Sequence, residues 1–503
     1  MAASFLRVSF VLAACLVGAA PAAMSAEGTI RFALATLPPQ LGNPYATSAM
    51  PSITTTSAMY EGLTRIAADG ALEPWLAVAW DNVDPRTWRF KLRRGVAFSN
   101  GRPFDATAVA ASVEFMATRA RPTDGLVRSD LPPLEGARVV DPHTVEIVTR
   151  QPVPTFPRYA SVLFVPEPEA FARLGPEDFA KAPVGTGPFA LERWDPGRAS
   201  FVAFAGSWRK PKAARLEVLA LPEPTSRVQA IISGRADIAG GLGPEDVQAL
   251  EAAGHKGVSW HDGGVSAISL VTTRGLPFND VRVRRALNHA VNRKPIIDVI
   301  MQGKTVPANQ PAARMTYGFV PDLPPFDYDP AKARRLLAAA GYPEGFKFVL
   351  ETSVTSGAAL STYQQVAADL AKVGVGMEIR TVPTPQYLKN VLQTGEYADA
   401  VIMPWQSAPT LDVLRAVLIH SCATKTAWYC DRRAMPLIDA AMSEWNAEKG
   451  LALRREIGRR YHDEAASLFL YEQVFFAGLS KRTTGFADNL GFVSYDQISV
   501  EGP

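Results

Sequence analysis

The sequence predicts an α/β protein of more than one domain, and three observations carry that prediction. At 503 residues the chain is too long for one ordinary hydrophobic core. Segments whose apolar residues alternate with a period of two are followed by segments at helical spacing. Gly, Pro, Asn and Asp punctuate the boundaries between them, and no fixed-period repeat runs through the chain.

The elements follow in order. In Thr87 to Leu92 (TWRFKL), Trp88, Phe90 and Leu92 fall on one face and Arg89 and Lys91 on the other, a strand with one buried face. Asn100-Gly101 supplies a positive-φ turn. Asp105 then caps a helix carrying Val109, Val113 and Met116 on one stripe. A hairpin is expected over Val139 to Val148, turning at Asp141-Pro142.

In the second half, Asp280 precedes a helix with Val283, Leu287, Ala290 and Val291 on one side and arginines on the other. Asp329 caps a further helix, Pro330 takes its first position and Gly341 ends it. Val366, Leu370 and Val373 line a third helix, ended by Gly374, before an alternating strand at Val375, Met377 and Ile379. Such units build sheets covered by helices. The charges on these helices read as solvated outer faces.

Composition excludes some functions. Apolar residues at 47% and charged residues at 20% give the balance of a soluble globular protein. The formal charge of +3 comes from scattered basic residues, not the clustered face that nucleic acid requires. At the N-terminus, Arg7 precedes a short apolar run, Val8 to Ala20, and a small-residue stretch, PAAMSA. That layout reads as a secretory signal over 1–26, cleaved after Ala26 or nearer Ala22. Leu12-Ala13-Ala14-Cys15 also resembles a lipoprotein box that would anchor the chain through Cys15, but the apolar run continues past it, which fits ordinary cleavage better.

Without the signal, Cys422 and Cys430 remain, an even pair read first as a disulfide in an oxidising compartment. A metal site formed with His420 is the alternative, and it lacks the usual ligand spacing. Catalytic motifs are missing: there is no GxSxG, no HExxH and no phosphate loop. Gly303-Lys304-Thr305 has Asp298 where a Walker loop needs Gly. Gly185 to Ala190 fits GxGxxA, but a strand-like stretch follows it instead of a helix. His462-Asp463-Glu464 lies on a charged helical stretch and reads as solvated charge.

Several segments together carry a resemblance. TWRFKLRRGVAFSNGRPFDATAVAASVEFM (87–116) resembles the W-F-L-R-G-V-F-G-P-F-A-D-V signature of family 5 extracellular solute-binding proteins. PVGTGPFALERW (183–194), SGRADIA (233–239), PFNDVRVRRALNHAVNRKPII (277–297) and DPAKARRLLAAAGYPEG (329–345) resemble further family segments in the family's order. QQVAADLAKVGVGMEI (364–379) and Phe486-Ala487 also fit.

The resemblance implies a two-lobed, class II periplasmic-binding-protein-like α/β fold, with a first lobe over 27–268 plus 474–503 and an extra subdomain at about 60–180. The second lobe is 269–473, with crossing strands near Val265 to Val271 and Leu470 to Phe476. It implies a monomeric periplasmic receptor, not an enzyme, that hands a peptide or other small polar solute to the permease subunits of an ABC importer in the inner membrane. Neither cofactor nor metal is implied, and nucleic acid is not an expected partner. The alternatives are a non-peptide ligand such as a nickel chelate, opine or oligosaccharide, and, in another class, a secreted hydrolase.

In peptide-binding relatives, a loop similar to G-W-x-x-D-x-x-D-P-D sets a Trp beside the ligand and an Asp on its α-amino group. The corresponding stretch here, residues 404–412, supplies Trp405, Gln406, Ser407 and Asp412, with no match to the amine-binding Asp. A buried ammonium needs a counter-charge, so this departure favours looking beyond free peptides. Thr352 and Ser353 in a strand-to-helix loop, Asn43, Tyr45 and Thr47 after the first strand, and Tyr387 complete the expected ligand contacts. Trp428 is expected in the core.

Overall fold

The computed structural model describes residues 27–46, 50–119, 130–275, 277–353 and 356–502. The signal-like segment with Cys15, and Thr47, lie outside the described residues.

Two long strands organise the molecule. Lys256–Leu270 and Leu468–Leu479 pair antiparallel, with Val265 opposite Glu472 and Ile268 opposite Leu468. On one side of this pair the sheet continues through Ile238–Leu242, Thr29–Leu34, Arg215–Ala220, Arg198–Ala203 and Phe189–Asp195. On the other side it continues through Ala400–Val401, Lys347–Thr352 and Gly376–Thr381. Lys347–Thr352 runs parallel to both its neighbours, as helix-covered strands do. The shared strands thus join two α/β lobes, one built from chain outside them and one from chain between them. Register is lost between His261 and Val265, where Gly263 takes φ +78°. A bulge there bends the strand where it passes between the lobes.

The extra subdomain is a four-stranded antiparallel sheet, in the order Ala77–Asp84, Thr87–Leu92, Thr144–Thr149, Leu134–Asp141. Phe90 and Leu92 are buried in it, and the helix Ala106–Thr118 packs on it through Val109, Val113 and Met116. Asp105 accepts hydrogen bonds from the Thr107 and Ala108 amides, satisfying donors left open at the helix start. Asp280 and Asp329 cap Val281–Ala290 and Pro330–Ala339 in the same way. Gly341, at φ +94°, ends the second of these helices.

Several helix charges, Arg284, Asp369 and His462 among them, depart from the expectation of solvated faces. Arg284 is buried and donates to the backbone oxygens of Phe278, Glu464 and Ala465. His462 is buried too, stacked on Phe326 at 4.7 Å with Nδ1 against the Asn309 oxygen. Periodicity shows which face carries charge but not whether another segment covers it. Trp428 is buried as expected. Cys422 and Cys430 are disulfide-bonded across a separation of 8, a closure worth about 2–3 kcal/mol in the chain-entropy account. Among the described residues, no His, Cys, Asp or Glu group is arranged to hold a metal, and no helix is long and apolar enough to cross a membrane.

Candidate ligand-binding cleft

One loop of the second lobe lies on the crossing strands at the bulge. Trp405–Gln406 forms a short strand on Gly264 and Val265, immediately after the bulge. Gln406 Nε2 donates to Asp262 Oδ2 at 2.6 Å, and its Oε1 accepts from the Ala408 amide at 2.9 Å. The Ala408-Pro409 peptide is cis, and the turn it makes carries Pro409 to the face of the first lobe.

Opposite lies an arginine of the first lobe. Arg158 donates to the Thr410 oxygen through Nη1 and to the Gly70 oxygen through Nη2, both at 3.2 Å, so one guanidinium bridges the lobes. A small apolar cluster does the same, with Ile66 and Leu490 packed against Leu411. Arg415 adds an ion pair to Asp130 at 2.8 Å.

Two spaces open beneath this closure and share Leu490. One, of about 20 Å³ and so with room for a single water, is walled by Tyr60, Arg65, Trp75, Arg209 and Phe492 of the first lobe and by Pro409 of the second. The other, of about 200 Å³, lies against the crossing strands, with Trp260, His261, Glu472 and Asp488 facing Arg314 and Met315. The larger approaches the size of a small-molecule site.

The electrostatics are set by depth. Burial raises the Asp488 carboxyl to about 7, with the nearby Asp262 carboxylate adding to the effect, although the Gly491 amide and Arg65 oppose it. Burial raises Asp262 as well, against the hydrogen bonds from Gly264 and Gln406. No ion pair reaches either carboxylate among the described residues.

The expected site residues divide. Gln406 and Ser407 lie in the loop, and the Ser407 hydroxyl is buried with no hydrogen-bond partner among the described residues. Trp405 has no exposed surface: its indole lies face to face with His420, 3.7 Å between centroids, and its Nε1 donates to Ser467 Oγ at 3.1 Å. That ring is packed instead of standing open to a ligand. Asp412 is likewise enclosed, capping Val413–Ile419 through the Leu414 amide and pairing with Arg454.

Tyr45 stacks on Phe115 of the extra subdomain at 5.1 Å, and Asn43 borders an outer groove with Gln40 and Pro176, so both face away from the loop. Tyr387 is buried and supports the loop from behind, its hydroxyl donating to the Ile402 oxygen at 2.6 Å. Thr352 is buried at the end of its strand, and Ser353 beside it is half-buried. Arg65, Trp75, Arg209 and Asp488, which line the spaces, were not singled out in the sequence. They come from distant segments and share no spacing that a motif could carry.

Comparison with known proteins agrees with this architecture. The profile of bacterial extracellular solute-binding proteins, family 5 Middle, matches residues 71–418. The glutathione-binding protein GsiB of Salmonella choleraesuis (strain SC-B67) is 28% identical over 482 residues, covering 91% of this chain and 92% of that one. The dipeptide-binding protein of Escherichia coli (strain K12) is 26% identical over 462 residues, covering 85% and 86%. The crystal structure of the ABC transporter substrate binding protein CtaP from Listeria monocytogenes superposes with a TM-score of 0.84 at 19% identity, over 95% of this chain and 100% of that one. With the profile spanning most of the chain and the two-lobed fold in place, this chain belongs to the bacterial extracellular solute-binding proteins of family 5.

Proposed function

We propose that this chain is the periplasmic receptor of an ABC importer, secreted by its N-terminal signal, which encloses a peptide-like or other small polar solute and delivers it to the membrane permease. We take 27–268 with 474–503 as one lobe and 269–473 as the other, closing about the bulge at His261 to Val265. The observation that carries the reading is the pair of spaces between the lobes, one closed by Pro409 of the second lobe and the other by Arg314 and Met315. Of the expected contacts, Gln406 and Ser407 lie in the loop that carries Pro409, and Arg65, Trp75 and Asp488 line the spaces themselves. The similarity to glutathione- and dipeptide-binding relatives supports a peptide-like solute.

One observation favours a second reading on the same scaffold. Asp412, the one carboxylate of the loop, is bound by Arg454, so no loop carboxylate is left for a free α-ammonium. A ligand without that group, such as an opine or sugar, suits the loop equally well.

The test is recovery of the co-purified solute by mass spectrometry after gentle denaturation, followed by calorimetric titration of the recovered compound. A receptor returns the compound unchanged and closes on it in scattering experiments. Turnover of the compound would support a hydrolase instead, and failure of any small solute to bind would end the receptor reading.

A further inference from the structure

The larger space, about 200 Å³ against the crossing strands, has carboxylates in its walls that are held in unequal ways. Glu472 is answered by Arg314, with Oε1 accepting from the Arg314 amide at 3.1 Å and from its Nε at 3.2 Å. His261 turns Nδ1 to the Gln473 oxygen at 2.9 Å. Beside it Asp262 has both oxygens occupied, by the Gly264 amide at 2.9 Å and by Gln406 Nε2 at 2.6 Å. Asp488 is less well supplied. It begins the hairpin of Asp488–Asn489 and Phe492–Val493, and its Oδ1 accepts from the Gly491 amide at 2.7 Å. Its Oδ2 has no hydrogen-bond partner among the described residues.

The charges around Asp488 leave it without a cation of its own. Arg65 draws on it, but Arg65 stands with Arg209 among Glu61, Glu73 and Asp496. The Asp262 carboxylate repels it. Burial is the largest effect and brings the carboxyl to about 7, so the empty cavity keeps a proton on Asp488 below neutrality. Asp488 lies deep in the molecule yet retains surface on the cavity. Around it Trp260, Met315 and Leu490 give the cavity apolar walls. A protein cavity of about 150 Å³ holds benzene, so this one admits a charged head group with its nearest carbons.

We infer that Asp488 receives the positive charge of the solute, and that the solute carries a compact organic cation, such as a primary ammonium, in this cavity. The inference rests on the receptor reading above and names the chemistry of its ligand. Arg454 binds Asp412, so the second-lobe loop has no carboxylate to offer, and the counter-charge comes from the first lobe instead. The entering ammonium donates to the Asp488 carboxylate, which gives up its proton to solvent as the cation takes that proton's place. Charge in the cavity is the same before and after.

Amines and their deaminated counterparts test this. Calorimetry on the mature chain compares the dipeptide Met-Leu with its deamino analogue, in which hydrogen replaces the α-ammonium. Glutathione is compared with its deamino analogue and cadaverine with pentanediol, and maltose serves as the neutral control. At pH 7 at least one amine should bind about tenfold or more tightly than its counterpart. Its affinity should rise about tenfold from about pH 5.5 to pH 7, where an ammonium keeps its charge, because Asp488 ionises to receive it. At pH 6, in buffers of different ionisation enthalpy, binding should release close to one proton. Asp488→Asn should erase the preference and the pH dependence together, and Asp488→Glu, which keeps the charge, should retain part of both. Either effect undiminished in Asp488→Asn overturns the proposal. Melting curves report whether the variants fold; if Asp488→Asn does not, proton release by the wild type decides, and its absence overturns the proposal. Equal binding of amine and counterpart by the wild type, or binding of maltose alone, keeps the receptor and removes the anchor. No binding by any probe removes both.

Discussion

Asp412 receives the edge of the Arg454 guanidinium, Nε at 2.9 Å and Nη2 at 2.8 Å, in a pair with almost no exposed surface. The same carboxylate caps the helix Val413–Ile419, and the rest of the guanidinium donates to the Ala441 and Gly450 oxygens. Removing one partner strands a buried charge. Asp412→Ala should cost about 3–5 kcal/mol in urea unfolding, with the loop displaced, and Asp412→Ala/Arg454→Met should recover much of it. An Asp412→Ala protein of native stability with weakened solute binding would return Asp412 to the list of ligand contacts.

Trp405 supports the loop from beneath. His420 covers one face of its indole, Phe469 and Tyr461 lie at its edges, and burial lowers the His420 imidazole to about 4, so the stack is neutral at working pH. Trp405→Ala should leave a large void and cost about 3–5 kcal/mol of stability, read from denaturant midpoints. Unchanged midpoints with a large loss of solute affinity would instead identify the ring as a ligand contact.

What was legible in the sequence follows from range. Asp105, Asp280 and Asp329 cap helices through amides two or three residues away, so local spacing revealed them. The strand Thr87–Leu92 was readable for the same reason. The family segments carried the two-lobed architecture. Burial of Arg284 depends on chain 180 residues distant, and Asp412 meets Arg454 across 42 residues. Such pairings leave no local trace. The cleft walls are harder still, since Arg65, Arg209, Pro409 and Leu490 meet only after both lobes have folded.

Asp488 gives the molecule a pH dependence of definite sign. Its folded-state pKa of about 7 lies above the ordinary 3.8, so between those values the folded chain holds a proton that the unfolded chain has released. Its contribution to stability is full below about pH 4, declines as pH rises towards 7 and is lost above it. Asp488→Asn should flatten this slope and stabilise the solute-free protein at pH 8 by roughly 1–3 kcal/mol, with little change at pH 4. Melting curves across that range check it; a wild-type stability that rises steadily from pH 4 to 8, unaltered by the substitution, would show that Asp488 titrates normally.

Arg158 should govern how readily the lobes close. One of its two hydrogen bonds stays within the first lobe, to the Gly70 oxygen, and the other crosses to the Thr410 oxygen of the second, whose Tyr317 ring centroid lies 5.2 Å from the guanidinium. A bond from a charged donor is worth about 1.5–3 kcal/mol when made in a buried setting, and the one to Thr410 is formed only when the lobes meet. Arg158→Ala should therefore shift the solute-free protein towards an open form, seen as a larger radius of gyration in solution scattering. Solute would still close the variant, but part of its binding energy would go into closure, weakening apparent affinity by about tenfold or more. The fold of each lobe should be unaffected, because among the described residues Arg158 makes no ion pair with a carboxylate and its side chain caps no helix. Scattering profiles that superpose on the wild type, with and without solute, would show that closure does not depend on this contact.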